Sequence, residues 1–258
     1  MGSSIEDLRA GNQRFYDKAD AAFRALFETA KARNELHFAL SLNPEFRGLR
    51  DAGWSSAQEV NVAIADYLPF LHDGEPTRLK TRIALGFYCH LAEASGFYEI
   101  PKNMLRIAEG QAYNMEPFRH LLDANRTTGT RIAPNANRII RDLTGQAQNL
   151  GLHELAEVFR DAFDPDVRNG YSHADYVVWV DSIRFGLRVG PLRELSYAEF
   201  TALLERGVNF FEILQQVVRD NVTSYSRPRV IRARLAAEPE RSWTIVYDAD
   251  KGTFSISG

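Results

Sequence analysis

The chain reads as a mainly α-helical protein: a helical bundle with a short β-hairpin insertion and a small C-terminal antiparallel β appendage. Three observations predict this. Apolar residues recur at spacings of three, four and seven over most of the first 225 residues. Between Tyr176 and Val189 the period falls to two, with β-branched and aromatic residues, and the tail alternates in the same way around a turn. The expected organisation is a helical domain over 1–225 and a β appendage over 226–258. At 258 residues and 45% hydrophobic content, the chain is long and apolar enough to bury a substantial core.

Taken in order, Leu8, Phe15, Ala22, Phe23, Leu26, Phe27, Ala30, Leu36 and Leu40 predict one long amphipathic helix, or two in series, from Ile5 to about Leu42, stopped by Asn43-Pro44. Ser55-Ser56-Ala57-Gln58 is a capping pattern that opens the next helix; Pro69 lies near its end, and Asp73-Gly74-Glu75-Pro76 marks a turn. Helices are expected over Thr77–Ala94, Pro101–Glu109, Pro117–Ala124, Asn135–Asn149 and Leu152–Phe163, joined by short loops. Tyr176–Val180 and Ile183–Val189 form the expected hairpin. Ser196-Tyr197-Ala198-Glu199 is a capping box that opens a last long helix. In the tail, Arg229–Leu235, Ser242–Tyr247 and Thr253–Ser257 read as strands, the last two joined by a turn at Asp248–Gly252.

Composition removes several function classes. The formal net charge of −3 gives no global attraction to nucleic acid, so any such contact needs a local basic patch. Basic residues are 26 arginines and five lysines, a bias that suits phosphate forks and equally follows from base composition in the source genome. The single cysteine, Cys89, excludes an intramolecular disulfide and sits in an apolar run where a buried, inert thiol is expected. No basic-then-apolar leader pattern and no apolar run of roughly 18 residues occur, so a cytoplasmic protein without membrane contact is expected. Phosphate-cradling glycine loops, dinucleotide motifs and serine elbows are absent, and an enzyme here is expected to be cofactor-free. His153-Glu154-Leu155-Ala156-Glu157 has only the first half of a zinc-protease helix, with Glu157 where the second histidine belongs, so no metal is expected.

The densest polar string is Asp164-Pro165-Asp166-Val167-Arg168-Asn169-Gly170-Tyr171-Ser172-His173-Ala174-Asp175-Tyr176. Arg168 offers a planar cation suited to phosphate, Asn169 a neutral donor and acceptor, and His173 a side-chain type that exchanges protons near neutrality. The interval from Arg168 to His173 is by itself weak evidence, since about two such pairs are expected by chance in a chain of this composition. On an ideal helix the two side chains lie about 140° apart, and a break at Gly170 would bring them to one side.

The string Arg168-Asn169-Gly170-Tyr171-Ser172-His173 resembles the arginine, polar residue, histidine signature of the HEPN superfamily, small all-α domains that include metal-independent endoribonucleases. The likeness extends loosely over an HEPN-like core of about 77–225. It implies catalytic roles for Arg168, Asn169 and His173, RNA as substrate, and a homodimer in which two motifs face one groove. The family also holds inert binding modules, so a non-catalytic domain that binds a protein, nucleotide or RNA is the alternative. A structural turn is the third reading, with Arg168 paired to Asp164 or Asp175 and His173 capping the backbone.

Secondary candidates are Arg138 and Arg141, which share a helix face in a stretch with Asn135 and Asn137; they are either an RNA or phosphate stripe or a solvated surface interrupted by Asp142. Arg33 and His37, four apart, read as a solvated helix face. Arg227, Arg229, Arg232 and Arg234 in the tail read as protection of a strand edge, with RNA contact as the other reading.

Overall fold

The computed structural model describes residues 4–43, 56–72, 77–125, 127–186, 191–235 and 238–258. Its framework is a pair of long parallel helices, α1 (Ile5–Arg33) and α9 (Tyr197–Thr223). Both start on reciprocal capping boxes, Ser4 with Asp7 and Ser196 with Glu199, which satisfy backbone N–H groups that a helix leaves unpaired. α1 buries a stripe running from Phe15 through Ala19, Phe23, Leu26, Phe27 and Ala30. Three polar contacts set the direction of the pair: Asn12 Nδ2 donates to the Ala202 carbonyl at 2.8 Å, Arg24 meets Asp220 at 2.9 Å, and Lys31 donates to Ser224 Oγ at 3.2 Å. Between the two helices Phe23, Phe159, Phe163, Phe210 and Phe211 form a network of edge-on and tilted rings.

The run from Ile5 to Leu42 is two helices, because Asn34 adopts an extended backbone, closes α1 and caps α2 (Glu35–Leu42) through a bond from His37 N–H. Residues 36–42 of α2 are buried, His37 among them, while Arg33 is exposed at the end of α1, so the two residues do not share the solvated helix face expected for them. His37 Nδ1 instead accepts the Tyr113 N–H at 3.2 Å. α3 (Ser56–His72) carries Pro69, and α4 (Arg78–Ala92) starts on a Thr77 cap as expected. Pro44, Ser55 and the turn expected at 73–76 lie outside the described residues. Cys89 is buried in α4, and burial pushes its thiol up to about 12.

Two helical expectations are corrected. α5 spans Ser95–Ala108, with Pro101 in its interior rather than at its start. Interior proline costs about 3 kcal/mol, and the burial of Phe97, Tyr98, Ile100 and Met104 on the same helix offsets it. Pro117–Ala124 is not a helix: a 3-10 turn at Arg119–Leu121 leads into β1 (Asp123–Ala124), which pairs with β2 (Arg131–Ile132). That segment has only Phe118 to bury among its large apolar side chains, and Asn125 Oδ1 accepts the Thr127 and Thr128 N–H groups to fix a turn instead.

α6 (Ala136–Asn149), capped by Asn135, and α7 (His153–Asp161) pack against each other and lead to α8 (Pro165–Ser172). The hairpin is a three-stranded antiparallel sheet of β3 (Tyr176–Val178), β4 (Ser182–Phe185) and β5 (Arg193–Ser196). Its third strand escaped the sequence pattern, since Arg193-Glu194-Leu195-Ser196 shows one apolar residue in four. The expected strand over Ile183–Val189 ends at Phe185, and positions 187–189 lie outside the described residues.

The tail forms the antiparallel order β6-β7-β8, spanning Arg229–Ala233, Arg241–Asp248 and Thr253–Ser257. Asp248 Oδ1 accepts the N–H groups of Asp250 and Lys251 in the expected turn. This sheet is fastened to the helices: Ile245 is fully buried in the main core and Trp243 packs with Leu36 and Leu40. No described helix is long and apolar enough to cross a membrane.

Candidate functional site

The sequence builds α8 with a strong start. Asp164 Oδ1 accepts the N–H groups of Asp166 and Val167, and Pro165 occupies the first turn, where its missing N–H costs nothing. The Asp164 N–H donates to Tyr88 Oη at 2.6 Å, tying this start to α4. Arg193, on β5, grips the same end: it donates to Asp164 Oδ1 at 2.8 Å, to Asp164 Oδ2, and to Asp166 Oδ2 at 2.9 Å. The hydrogen-bonded Asp164 carboxylate raises the Arg193 pKa further above its ordinary value. Asp164 is therefore taken by Arg193 and not by Arg168.

Gly170 does not break the helix. α8 runs through it to Ser172, and a Cβ at Gly170 would stand 2.5 Å from Phe185 Cδ1, so the glycine is where β4 closes on the helix. The helix ends in a Schellman turn: Asp175 N–H donates to the Gly170 carbonyl at 2.7 Å and Ala174 N–H to the Tyr171 carbonyl at 3.0 Å, with Ala174 at φ 52°.

With the helix unbroken, Arg168 and His173 leave it on different sides. Arg168 is 5% exposed, and its guanidinium pairs with Glu93, the residue that closes α4, while also donating to Asn169 Oδ1 at 3.1 Å. Glu93 uses its second oxygen to accept the Ala136 N–H at 2.9 Å, so Arg168 and Glu93 link α4, α6 and α8. Asn169 and His173 are exposed, one turn apart on the same helix face. Both line an open cleft of about 710 Å³ between α8 and the β4–β5 region, along with Asp166, Asp175, Arg193 and Glu194; Arg168 does not line it. Among the described residues the His173 ring meets no hydrogen-bond or ion-pair partner. Among the described residues no donor reaches Asp175 Oδ1, which is buried.

Nothing matches: no family model, curated protein or solved structure is similar to this chain.

Arg138 and Arg141 lie on α6 outside the cleft. Arg138 pairs with Asp123 of β1, and the exposed Arg141 donates from Nε to the Asn137 carbonyl at 3.1 Å. Their neighbour Asn137 reaches Asn169 Oδ1 at 3.4 Å, so α6 borders the site through a neutral amide rather than a cation. Sequence reasoning missed Glu93 and Arg193. Glu93 stands 75 positions from its partner, and its signal was only a helix-terminal carboxylate; Arg193 lay in a strand the pattern did not disclose. Among the described residues, the cleft offers one unpartnered imidazole, one amide, and a rim on which three carboxylates face a single guanidinium already engaged by Asp164 and Asp166.

Proposed function

We propose that this chain is an HEPN-like endoribonuclease that cleaves RNA without metal, with His173 as the proton-transfer group, Asn169 as a neutral donor to the scissile phosphate and Arg168 as a positioning residue. The observation that carries this reading is that Asn169 and His173 share the exposed face of α8 and line one cleft, with the His173 ring free of partners among the described residues. A neutral imidazole takes the 2′-hydroxyl proton, the 2′-oxygen attacks phosphorus, and the 5′-oxygen leaves with a proton, giving a 2′,3′-cyclic phosphate and a 5′-hydroxyl. One imidazole cannot be base and acid in the same step, so a second copy of the chain would supply the second. Exposed Val177, Trp179 and Val180 on the hairpin after α8 are an apolar surface that such pairing would cover.

Incubation of the protein with single-stranded and structured RNA in chelator tests this. Cyclic-phosphate ends from the wild type and none from His173→Ala are the expected result; equal cleavage by both, or no cleavage by the wild type, overturns it.

A second reading, a non-catalytic module for a protein partner, has its own observation. Asp166, Asp175 and Glu194 rim the cleft, and the donorless Asp175 Oδ1 suits a basic side chain better than a phosphate. Saturable binding of an arginine-rich peptide, lost in Asp175→Asn, distinguishes it.

A further inference from the structure

At the C-terminal end of α9, a second open cleft of about 820 Å³ lies between the α1–α2 junction and β6. Its cations come from separate elements: Lys31 and Arg33 from α1, and Arg229, Arg232 and Arg234 from β6 and the residue just beyond it. Two carboxylates, Glu28 and Glu35, oppose five cations, on a chain whose formal net charge is −3. Among the described residues only one of these cations is closely neutralised: Arg229 meets Glu35 at 2.8 Å, while Arg232 meets Glu240 at 3.9 Å. Among the described residues, Arg33, Arg234 and Lys31 have no carboxylate at ion-pair distance. Lys31 is held over the Tyr225 ring at 4.5 Å and by Ser224 Oγ at 3.2 Å, so its ammonium is positioned rather than free to swing.

Edge protection of β6 accounts for Arg232 and Arg234 but not for the two cations that α1 adds opposite them. Like charges gathered at close range repel unless an anion sits among them. We propose that this cleft binds a ligand carrying two or more linked phosphates, with Arg33 and Arg234 as its principal forks. A phosphodiester strand and a compact polyphosphate share that chemistry. The volume suits a ligand of nucleotide size, and guanidinium forks match phosphate oxygens in pairs.

The test uses the full chain in the His173→Ala form, so that RNA is not consumed and the outcome is independent of the proposed cleavage. Titrations with tripolyphosphate and with a fluorescein-labelled single-stranded 12-mer RNA are run on this protein and on forms that add Arg33→Glu, Arg234→Glu or the milder Arg234→Gln. Circular dichroism checks that each form is folded, and Arg9→Glu, on an exposed part of α1, is the control. Saturable binding of at least one probe is expected, weakened about tenfold or more by each cleft substitution, untouched by Arg9→Glu, and with a salt slope lower by about one per contact removed. RNA bound more tightly than tripolyphosphate and displaced by it identifies a strand; tripolyphosphate bound and not displaced by RNA identifies a compact polyphosphate. No binding of either probe, or binding that all the cleft variants retain, overturns the proposal.

Discussion

The Arg168 guanidinium is buried against the Glu93 carboxylate, and that carboxylate, on the residue that caps the end of α4, also joins the first turn of α6. The cation that looked most like a phosphate ligand in the sequence is thereby a fastener beneath the cleft, with Asn169 and His173 above it.

Removing Arg168 leaves Glu93 without its cation and Asn169 Oδ1 without its 3.1 Å donor. Because the Glu93 side chain is 42% exposed, water recovers part of the loss. Arg168→Ala is expected to lower stability by about 2 kcal/mol, within the range for a hydrogen bond to a charged group. Urea unfolding measures it; a variant as stable as the wild type would show that the pair does not hold the helices together.

Gly170→Ala places a methyl where the Phe185 ring stands. The ring is packed in the core and has little room to retreat, so a loss of about 1–3 kcal/mol is expected. The partner substitution Phe185→Leu in the Gly170→Ala background should recover part of it, and full additivity of the two losses in thermal unfolding would argue against the contact.

Ala174 sits where a helix-ending residue is left-handed, a conformation that costs a non-glycine residue about 1 kcal/mol. The same turn after α6 uses Gly151 at φ 74°. Ala174→Gly should therefore stabilise the protein by up to about 1 kcal/mol, less the extra freedom glycine brings to the unfolded chain. A drop in midpoint denaturant concentration would contradict it.

Burial lowers the pKa of His37 below its ordinary value of 6.5, and the neutral ring is the form that accepts the Tyr113 N–H. The unfolded chain thus binds a proton that the folded one resists. The contribution of His37 is fully present above pH 6.5 and is lost as pH falls from there through the lower folded value. Between pH 7 and 5, unfolding free energies should decline less steeply in His37→Gln than in the wild type; equal slopes would remove His37 as a source of acid sensitivity.

Much of the architecture was legible because it is set by local periodicity. The stripe of α1, the Ser196 capping box, the Asn135 cap and the three tail strands each depend on residues within a few positions of one another. Where a segment was misread, a contact distant in sequence had overridden a local signal. Pro101 lies inside α5 because its neighbours are buried, and β5 pairs with β4 despite its polar sequence.

The motif divides along the same line. The residues of the string and their spacing are properties of the sequence itself; the unbroken helix that places Asn169 and His173 on one face is not. That Arg168 turns inward was decided by Glu93, that Gly170 continues the helix by Phe185, and that Asp164 is already engaged by Arg193. Side-chain direction on a helix follows from its period, but which face is buried depends on what packs against it, and those partners come from α4, β4 and β5.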